Sequence, residues 1–200
     1  MAVCLDPNEN ADAKIKAVRL LDQHRVREAI RVLVPLVANE DDVLAVTATS
    51  AITNINSRTA TRLLLRTLNR NSRTEAVLRT IYALRMLCDR RALPYLISIL
   101  NDETRPAPIR DEAAEAMAVF PSKQALKALI RASNDPSPCV RLSVAYSLGC
   151  FKNKESADIL QKLAHDHNQV YGGRTVSEQA CDSLLAIKSS APKWMLFGNL

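Results

Sequence analysis

Glycine and aromatic residues are scarce in this chain of 200 residues, which has four glycines, one tryptophan, four tyrosines and three phenylalanines. Together with abundant alanine, leucine and arginine, this scarcity favours an all-helical protein. No apolar run approaches the roughly 20 residues that a bilayer-spanning helix needs. The first residues, MAVCLDPNENADAK, are acidic and polar where a secretory signal would be basic and then apolar. We therefore expect a cytoplasmic protein that does not contact a membrane.

Cysteine is present without any pairing pattern. The five cysteines are scattered, odd in number and never in CxxC spacing: Cys4, Cys88, Cys139, Cys150 and Cys181. This distribution predicts reduced thiols that mostly fill small core positions, with no disulfide framework.

Histidine is too rare to build a recognisable catalytic or metal site. The one close pair, His165 and His167, lacks the further ligands that zinc requires, so we expect a solvated loop there and no metal. His24 stands alone, and no serine or cysteine has a recognisable general base. Gly172 and Gly173 precede a helix without the strand or the lysine and serine of a nucleotide-binding loop, and they indicate a flexible turn. The sequence thus predicts no catalytic residue, no cofactor and no enzyme activity.

The stretch from Asp135 to Asp166 contains the pattern that the rest of the chain repeats. Its first half has an apolar helical face at Val140, Val144, Ala145 and Leu148. Ser137 is expected to cap this helix, Pro138 to occupy its first position and Gly149 to end it. A second apolar stripe follows at Leu160, Leu163 and Ala164. Two such helices form a hairpin whose apolar faces need a similar neighbour.

The pattern recurs about every 30 to 36 residues along the chain. The first helices align on Ala13, Val43, Ala76, Ile109, Val140 and Val176, and, five residues later, on Val18, Ala48, Ile81, Ala114, Ala145 and Cys181. The second helices align on Ala29, Ala60, Ala92, Ala125 and Ser156, and, four residues later, on Leu33, Leu64, Leu96, Leu129 and Leu160. Two registers that stay in step over five units indicate a repeat architecture.

A family resemblance rests on residues of this repeat. Asp135-Pro136, Val140-Arg141, Ala145 and Leu148-Gly149 resemble the HEAT-repeat pattern, especially the bacterial variant named after phycobilin lyases. The resemblance implies an all-α fold, an α-solenoid of about six antiparallel helical hairpins in a right-handed superhelix. It also implies that Asp135 and Arg141 bond between neighbouring units. We predict one domain, 1–200, with repeats at about 11–39, 41–70, 72–102, 107–134, 137–167 and 174–200.

Both ends and one proline depart from the regular repeat. Residues 1 to about 10 are predicted to be a loop, and Pro35 is expected to bend or shorten its helix. The segment from Trp194 to Phe197 is interpreted as a cap on the last repeat, with a docking peptide for another chain as the alternative. Capping boxes are predicted for Ser72 with Glu75 and for Thr175 with Glu178.

Positive charge is concentrated on one side of the predicted second helices. The net charge is +6, yet the segment from Arg58 to Arg91 alone contains nine arginines and two acids. Counted from the aligned Ala or Ser, the positions −2, +2 and +6 are mostly basic and share one helix face. The eleven basic residues at these positions are Arg27, Arg31, Arg58, Arg62, Arg66, Arg90, Lys123, Lys127, Arg131, Lys154 and Lys162. The resemblance implies that this face lines the concave groove.

Three functions are compatible with such a groove. The first is a non-enzymatic, monomeric scaffold that binds an acidic protein or peptide, and this is the function that the sequence favours. The second is attachment or detachment of a bilin chromophore, since phycobilin lyases share the repeat and bilin propionates would suit arginines. The third is nucleic-acid binding, although the stacking aromatics of such grooves are missing apart from Trp194 near the terminus. Iron-dependent hydroxylases built on HEAT repeats carry His-Glu pairs, and no His-Glu dipeptide occurs here.

Overall fold

The computed structural model describes residues 1–56, 58–68 and 73–190. Over these ranges the chain is all-α, with no β-strand and one isolated bridge between Gln169 and Thr175. The helices are α1 (Ala2–Leu5), α2 (Ala11–Gln23), α3 (Ile30–Leu36), α4 (Asp42–Ile55), α5 (Arg58–Leu68), α6 (Thr74–Leu87), α7 (Leu93–Leu100), α8 (Ala107–Ala116), α9 (Lys123–Ala132), α10 (Pro138–Phe151), α11 (Lys154–Leu163) and α12 (Val176–Ser190). The predicted all-α repeat fold is confirmed. Ser72 and the segment from Trp194 to Phe197 lie outside the described residues.

The chain divides into two compact units, Met1–Ala92 and Leu93–Leu200. In unit 1 the first helices stack as α2 on α4 on α6, and the second helices as α3 on α5. In unit 2 the same two layers recur, with α8 on α10 on α12 and α7 on α9 on α11. Each unit is therefore a stack of helical hairpins whose apolar faces are covered by their neighbours. The single domain 1–200 stays a prediction.

The register of the second helices is confirmed at every aligned position. Ala29, Ala60, Ala92, Ala125 and Ser156 are fully buried, as are Leu33, Leu64, Leu96, Leu129 and Leu160. The small residues allow close helix approach, and the leucines fill the space between the two layers of each unit. In the first helices Val18, Ala48, Ile81, Ala114 and Ala145 are likewise fully buried.

Three positions in the first helices differ from the predicted register. Ala13 is half-buried, and Ile15 is buried in its place. Val43 is 59% exposed, and Leu44 is buried in its place. The reason lies in the cap: the Asp41 carboxylate accepts the Leu44 backbone N–H at 2.8 Å and fixes the helix start, so the core stripe begins one residue later. In α12 the buried positions include Val176 and Ala180, and Cys181 is exposed.

Gly149 does not end its helix, as the sequence pattern suggested. The helix α10 continues to Phe151, and Gly149 is buried where α10 meets α12. A Cβ atom at this position would lie 2.8 Å from both the Cβ and the Oγ of Ser183. This glycine therefore permits a close helix crossing. Ser137 occupies the N-cap position, but its side chain makes no capping bond and lies 3.0 Å from the Cys139 Sγ.

Over the described residues, a left-handed residue follows the first helix in four of the hairpins. The φ angles are 48° at Arg25, 46° at Asn56, 49° at Cys88 and 50° at Lys152. Each of these residues stands four positions before the aligned Ala or Ser. The fourth hairpin has Pro121 at this position, and proline cannot adopt a positive φ. There the chain turns through a 3₁₀ segment at Met117–Val119 instead.

Two ion pairs, one buried and one partly buried, close hairpins of unit 2. Arg110 Nε and Nη2 donate to the two carboxylate oxygens of Asp135 at 3.0 and 2.8 Å, and both side chains are almost fully buried. Arg141 Nε donates to Asp166 at 2.6 Å, and its Nη1 donates to the Asp135 backbone carbonyl at 2.7 Å. Asp135 and Arg141 are thus structural as predicted, although each carboxylate pairs with an arginine 25 residues before it.

The prolines and the ends fit their local sequence. The helix α3 ends at Leu36, one residue after Pro35, which is the early end expected of that proline. The predicted N-terminal loop contains a short helix, α1, whose Cys4 is buried. The capping box of α12 is confirmed, since Thr175 N–H donates to Glu178 and Glu178 N–H donates to the Thr175 hydroxyl. In the part of the chain that the structure describes, no helix is both long and apolar enough to span a bilayer.

Candidate partner-binding faces

In the five hairpins whose second helix the structure describes, a basic residue stands either at the start of that helix or at the start of the 3₁₀ turn that leads into it. Arg58, Lys123 and Lys154 are the first residues of α5, α9 and α11. Arg27 and Arg90 open the 3₁₀ turns that lead into α3 and α7. The N-terminus of a helix carries a partial positive charge, so acidic residues are favoured there and basic residues are mildly unfavourable. Five basic residues at this position therefore do not contribute to helix stability.

The helix α5 presents the clearest basic surface. Arg58, Arg62 and Arg66 recur every four residues and are exposed, whereas Ala60, Leu64 and Leu68 on the other side are buried. No acidic residue occurs in this helix of 11 residues. The described part of the chain shows no ion pair to any of the three arginines.

The remaining basic residues of unit 1 extend this surface. Arg27, Arg31 and Arg90 are also exposed. Together with α5 they form the unit 1 basic face: Arg27, Arg31, Arg58, Arg62, Arg66 and Arg90. Two surface cavities lie between α3 and α5 on this face, of about 470 and 390 Å³, and Arg31 lines both. The second has an apolar floor that includes Val34 and Leu63. A cavity with apolar walls and cationic rims can hold both the aliphatic stem and the charged end of an acidic side chain.

Unit 2 repeats the arrangement on α9. Lys123, Lys127 and Arg131 are exposed at the same spacing, and this helix of 10 residues also contains no acid. Lys154 and Lys162 of α11 are exposed as well, although that helix also carries Glu155 and Asp158. These five residues form the unit 2 basic face: Lys123, Lys127, Arg131, Lys154 and Lys162. The eleven predicted residues are thus all at the surface, six on one unit and five on the other.

A further cluster lies at a corner of unit 1, where the start of α5 lies near the residues that follow α6. A cavity of about 600 Å³ is lined here by Asn56, Arg58, Thr61, Leu87, Cys88, Asp89, Arg90 and Arg91. We call it the corner cavity. Asp89 accepts from Arg91 Nε at 3.0 Å to each carboxylate oxygen. The bond from Arg91, aided by one from the Thr61 hydroxyl, lowers the pKa of Asp89 from 3.8 to about 2.

Neither the histidines nor the paired glycines form a site. His165 and His167 are exposed, and Asp166 between them is engaged by Arg141. Burial alone raises the pKa of Asp166, but the bonds from Arg141 and Asn168 outweigh that effect and lower it. Gly172 and Gly173 have φ angles of 83° and 80° in an exposed 3₁₀ turn. Across the described residues, no group of three or more His, Cys, Asp or Glu side chains could hold a metal ion.

The sequence pattern found the two basic faces but not the corner cavity. The faces follow from a period of four residues within one helix, which can be read directly from the sequence. The cavity forms because Arg91 bonds to Asp89 and because residues 56–61 lie near residues 87–91 in space. The second condition is a property of the fold and not of the local sequence. The only signal in the sequence was the run Asp89-Arg90-Arg91, and that run is not specific.

Comparison with known proteins supports the repeat fold. The family model for HEAT repeats matches residues 93–180, which confirms the resemblance to HEAT repeats in that part of the chain. A segment of 78 residues is 31% identical to deoxyhypusine hydroxylase of Candida albicans, covering 39% of this chain and 24% of that protein. This chain therefore matches about a quarter of that enzyme's length.

Two solved structures share the architecture at low identity. The complex of CpcE and CpcF of phycocyanin lyase from Nostoc sp. PCC7120 aligns with a TM-score of 0.59 and 17% identity, covering 98% of this chain and 89% of that chain. A designed armadillo repeat protein in complex with the peptide (KR)4 aligns with a TM-score of 0.57 and 19% identity, covering 93% of this chain and 97% of that chain. At such identities the likeness concerns the fold.

Proposed function

We propose that this chain is a non-enzymatic helical-repeat scaffold that binds an acidic protein or peptide through the basic faces of its second helices. The observation that carries the proposal is α5, which exposes Arg58, Arg62 and Arg66 and contains no acid. Like charges on one exposed face repel each other over about one Debye length, roughly 8 Å at physiological salt. An anionic partner removes that repulsion, so the arrangement favours binding over stability.

The fold is suitable for such a role. The designed armadillo repeat protein that shares this architecture is described in complex with a basic peptide, (KR)4. Its relevance here is that a repeat protein with a similar fold binds a peptide. The exposed side chains of α5 and α9 are positively charged, as that peptide is. The ligand of this chain should therefore be acidic.

The chemistry of the second helices favours a protein partner over a nucleic acid. Single-stranded nucleic acids are usually bound by basic residues together with aromatic side chains that stack on the bases. On the described second helices the one aromatic residue is Tyr95 of α7, and α5 and α9 have none. A titration with labelled DNA and RNA, followed by fluorescence anisotropy, tests this preference.

Charge reversal tests the proposal directly. The variant carries Arg62→Glu and Lys127→Glu, one on each basic face, and should lose partner capture from a cell lysate because the partner's charge is now repelled. The matched control carries Lys16→Glu and Lys188→Glu, which make the same change in net charge at exposed positions of first helices. Capture by the control should equal that of the native chain. Equal capture by the face variant would contradict the proposal.

A role in bilin attachment is the second candidate, and it rests on one observation. The phycocyanin lyase complex aligns over 98% of this chain, but with 17% identity. If the chain handled a bilin, mixing the two would shift the visible absorbance of the chromophore, and the face variant would reduce that shift. An unchanged spectrum would remove this candidate and leave the scaffold proposal intact.

A further inference from the structure

The corner cavity differs from the two cavities between α3 and α5 because three arginines line it, whereas two line each of the others. Its lining includes two left-handed residues, Asn56 before α5 and Cys88 after α6. The cavity measures about 600 Å³, the largest among the cavities lined by the basic residues of unit 1 described above.

The acid in this cavity is fully engaged. Asp89 accepts hydrogen bonds from the Arg91 guanidinium, from the Arg91 backbone N–H at 3.0 Å and from the Thr61 hydroxyl. Arg91 is in turn held in place, since its Nη2 also donates to the Arg58 backbone carbonyl at 2.9 Å. Asp89 and Arg91 thus neutralise each other and form one side of the cavity as a fixed pair.

Two guanidinium groups remain for a ligand. Arg58 and Arg90 both line the cavity and are exposed, and over the described residues neither has an acidic partner. The cavity therefore has an excess of two positive charges. Arginine presents a planar fork of N–H donors that matches phosphate oxygens, and two forks suit a tetrahedral dianion better than a single carboxylate. The start of α5 beside Arg58 adds a partial positive charge of the same sign.

We propose that the corner cavity binds a phosphoryl group carried by the acidic partner, with Arg58 and Arg90 as its ligands and Arg91 as a positioning residue. The inference rests on the proposed function and makes it more specific: the partner is a phosphorylated acidic peptide segment. The phosphoryl group occupies the cavity, and the flanking acidic residues lie along Arg62 and Arg66.

The experiment uses two peptides of glutamate and glycine that differ only in a central residue, phosphoserine or serine. Binding to the full chain is measured by fluorescence anisotropy. The native chain should bind the phosphorylated peptide about tenfold more tightly than the other, since charge-assisted bidentate bonds are strong and orientation-dependent. The variant with Arg58→Gln and Arg90→Gln should bind both peptides equally.

The matched control carries Arg31→Gln and Arg62→Gln, which remove the same charge from the same face outside the cavity. It should bind both peptides more weakly yet keep the tenfold preference. If the native chain shows no preference, or if the control loses the preference as fully as the cavity variant, the site is overturned. In either case binding of the unphosphorylated peptide still reports separately on the proposed function.

Inorganic phosphate provides an arm that does not depend on any peptide. Line broadening of phosphate in ³¹P NMR should appear with the native chain and with the control variant, and it should disappear with the cavity variant. Broadening that persists in the cavity variant would place the anion elsewhere and contradict the assignment. Circular dichroism of each variant checks that the helical content is unchanged.

Discussion

Gly149 shows how one residue sets the distance between two helices. It lies inside α10, and the atoms nearest to its absent Cβ belong to Ser183 of α12. Glycine within a helix normally lowers stability relative to alanine by about 0.5–1 kcal/mol, so its presence needs a structural reason. The close approach of the two helices provides that reason.

Replacing Gly149 by alanine should therefore destabilise the chain despite the better helix propensity of alanine. We expect a loss of about 1–3 kcal/mol in the free energy of unfolding, the usual range for overpacking a core. Chemical denaturation measures it. Adding Ser183→Gly to the variant should restore part of the loss, and an unchanged stability of the single variant would show that α12 can move away.

Asp89 is the residue whose ionisation should be visible in the pH dependence of stability. Its pKa in the folded chain is about 2, below the ordinary value of 3.8, because of the bond from Arg91. A lowered folded pKa adds stability above the unfolded pKa, and this contribution is lost as pH falls from about 4 to about 2. The native thermal midpoint should therefore fall over that window more than the midpoint of Asp89→Asn. Parallel curves for the two proteins would contradict the role of Asp89.

At the scale of the helix and its turns, the second helices were predictable and the first helices only partly so. A small residue and a leucine four positions later recur in the five hairpins whose second helix the structure describes. Both are fully buried, so their periodicity gave the register. In the first helices, capping by Asp41 and the close crossing at Gly149 each changed which residues face the core or where the helix ends. Each of these effects depends on a single hydrogen bond or a single contact, and the periodicity of apolar residues does not predict such interactions.

The left-handed turns could not be predicted from residue type. Arginine, cysteine and lysine are uncommon with positive φ, yet Arg25, Cys88 and Lys152 adopt it. In these hairpins the chain takes the left-handed backbone between the two helices, and the packing of the helices outweighs the local strain. The one hairpin that departs from this rule has Pro121, for which such a φ is impossible.

The ion pair between Arg110 and Asp135 should be the most sensitive polar contact of unit 2. Both side chains are almost fully buried, and the pair links α8 to the turn after α9. The substitution Asp135→Ala should lower the free energy of unfolding by about 3–5 kcal/mol, because it leaves a buried arginine without its carboxylate. The double variant with Arg110→Met and Asp135→Ala should recover much of this loss. A small effect of the single substitution would show that water reaches Arg110.

At the scale of the whole chain, the sequence was sufficient for the repeat and for the basic faces. Composition favoured helices, the recurring leucines gave the hairpins, and the spacing of four residues placed eleven basic residues at the surface. It was not sufficient for the division into two units at Ala92 or for the corner cavity. Both depend on contacts between residues far apart in the chain, which no local pattern reports.

Binding of an acidic partner by the basic faces is tested most directly by the salt dependence of peptide affinity. A labelled glutamate-rich peptide is titrated against the native chain, against Arg62→Glu with Lys127→Glu, and against the control with Lys16→Glu and Lys188→Glu. Affinity for the native chain and the control should fall steeply as salt rises, since exposed charges are screened over roughly 8 Å at physiological ionic strength. The face variant should not bind measurably at any salt concentration. Equal affinities for all three proteins, or an affinity that does not change with salt, would contradict the account.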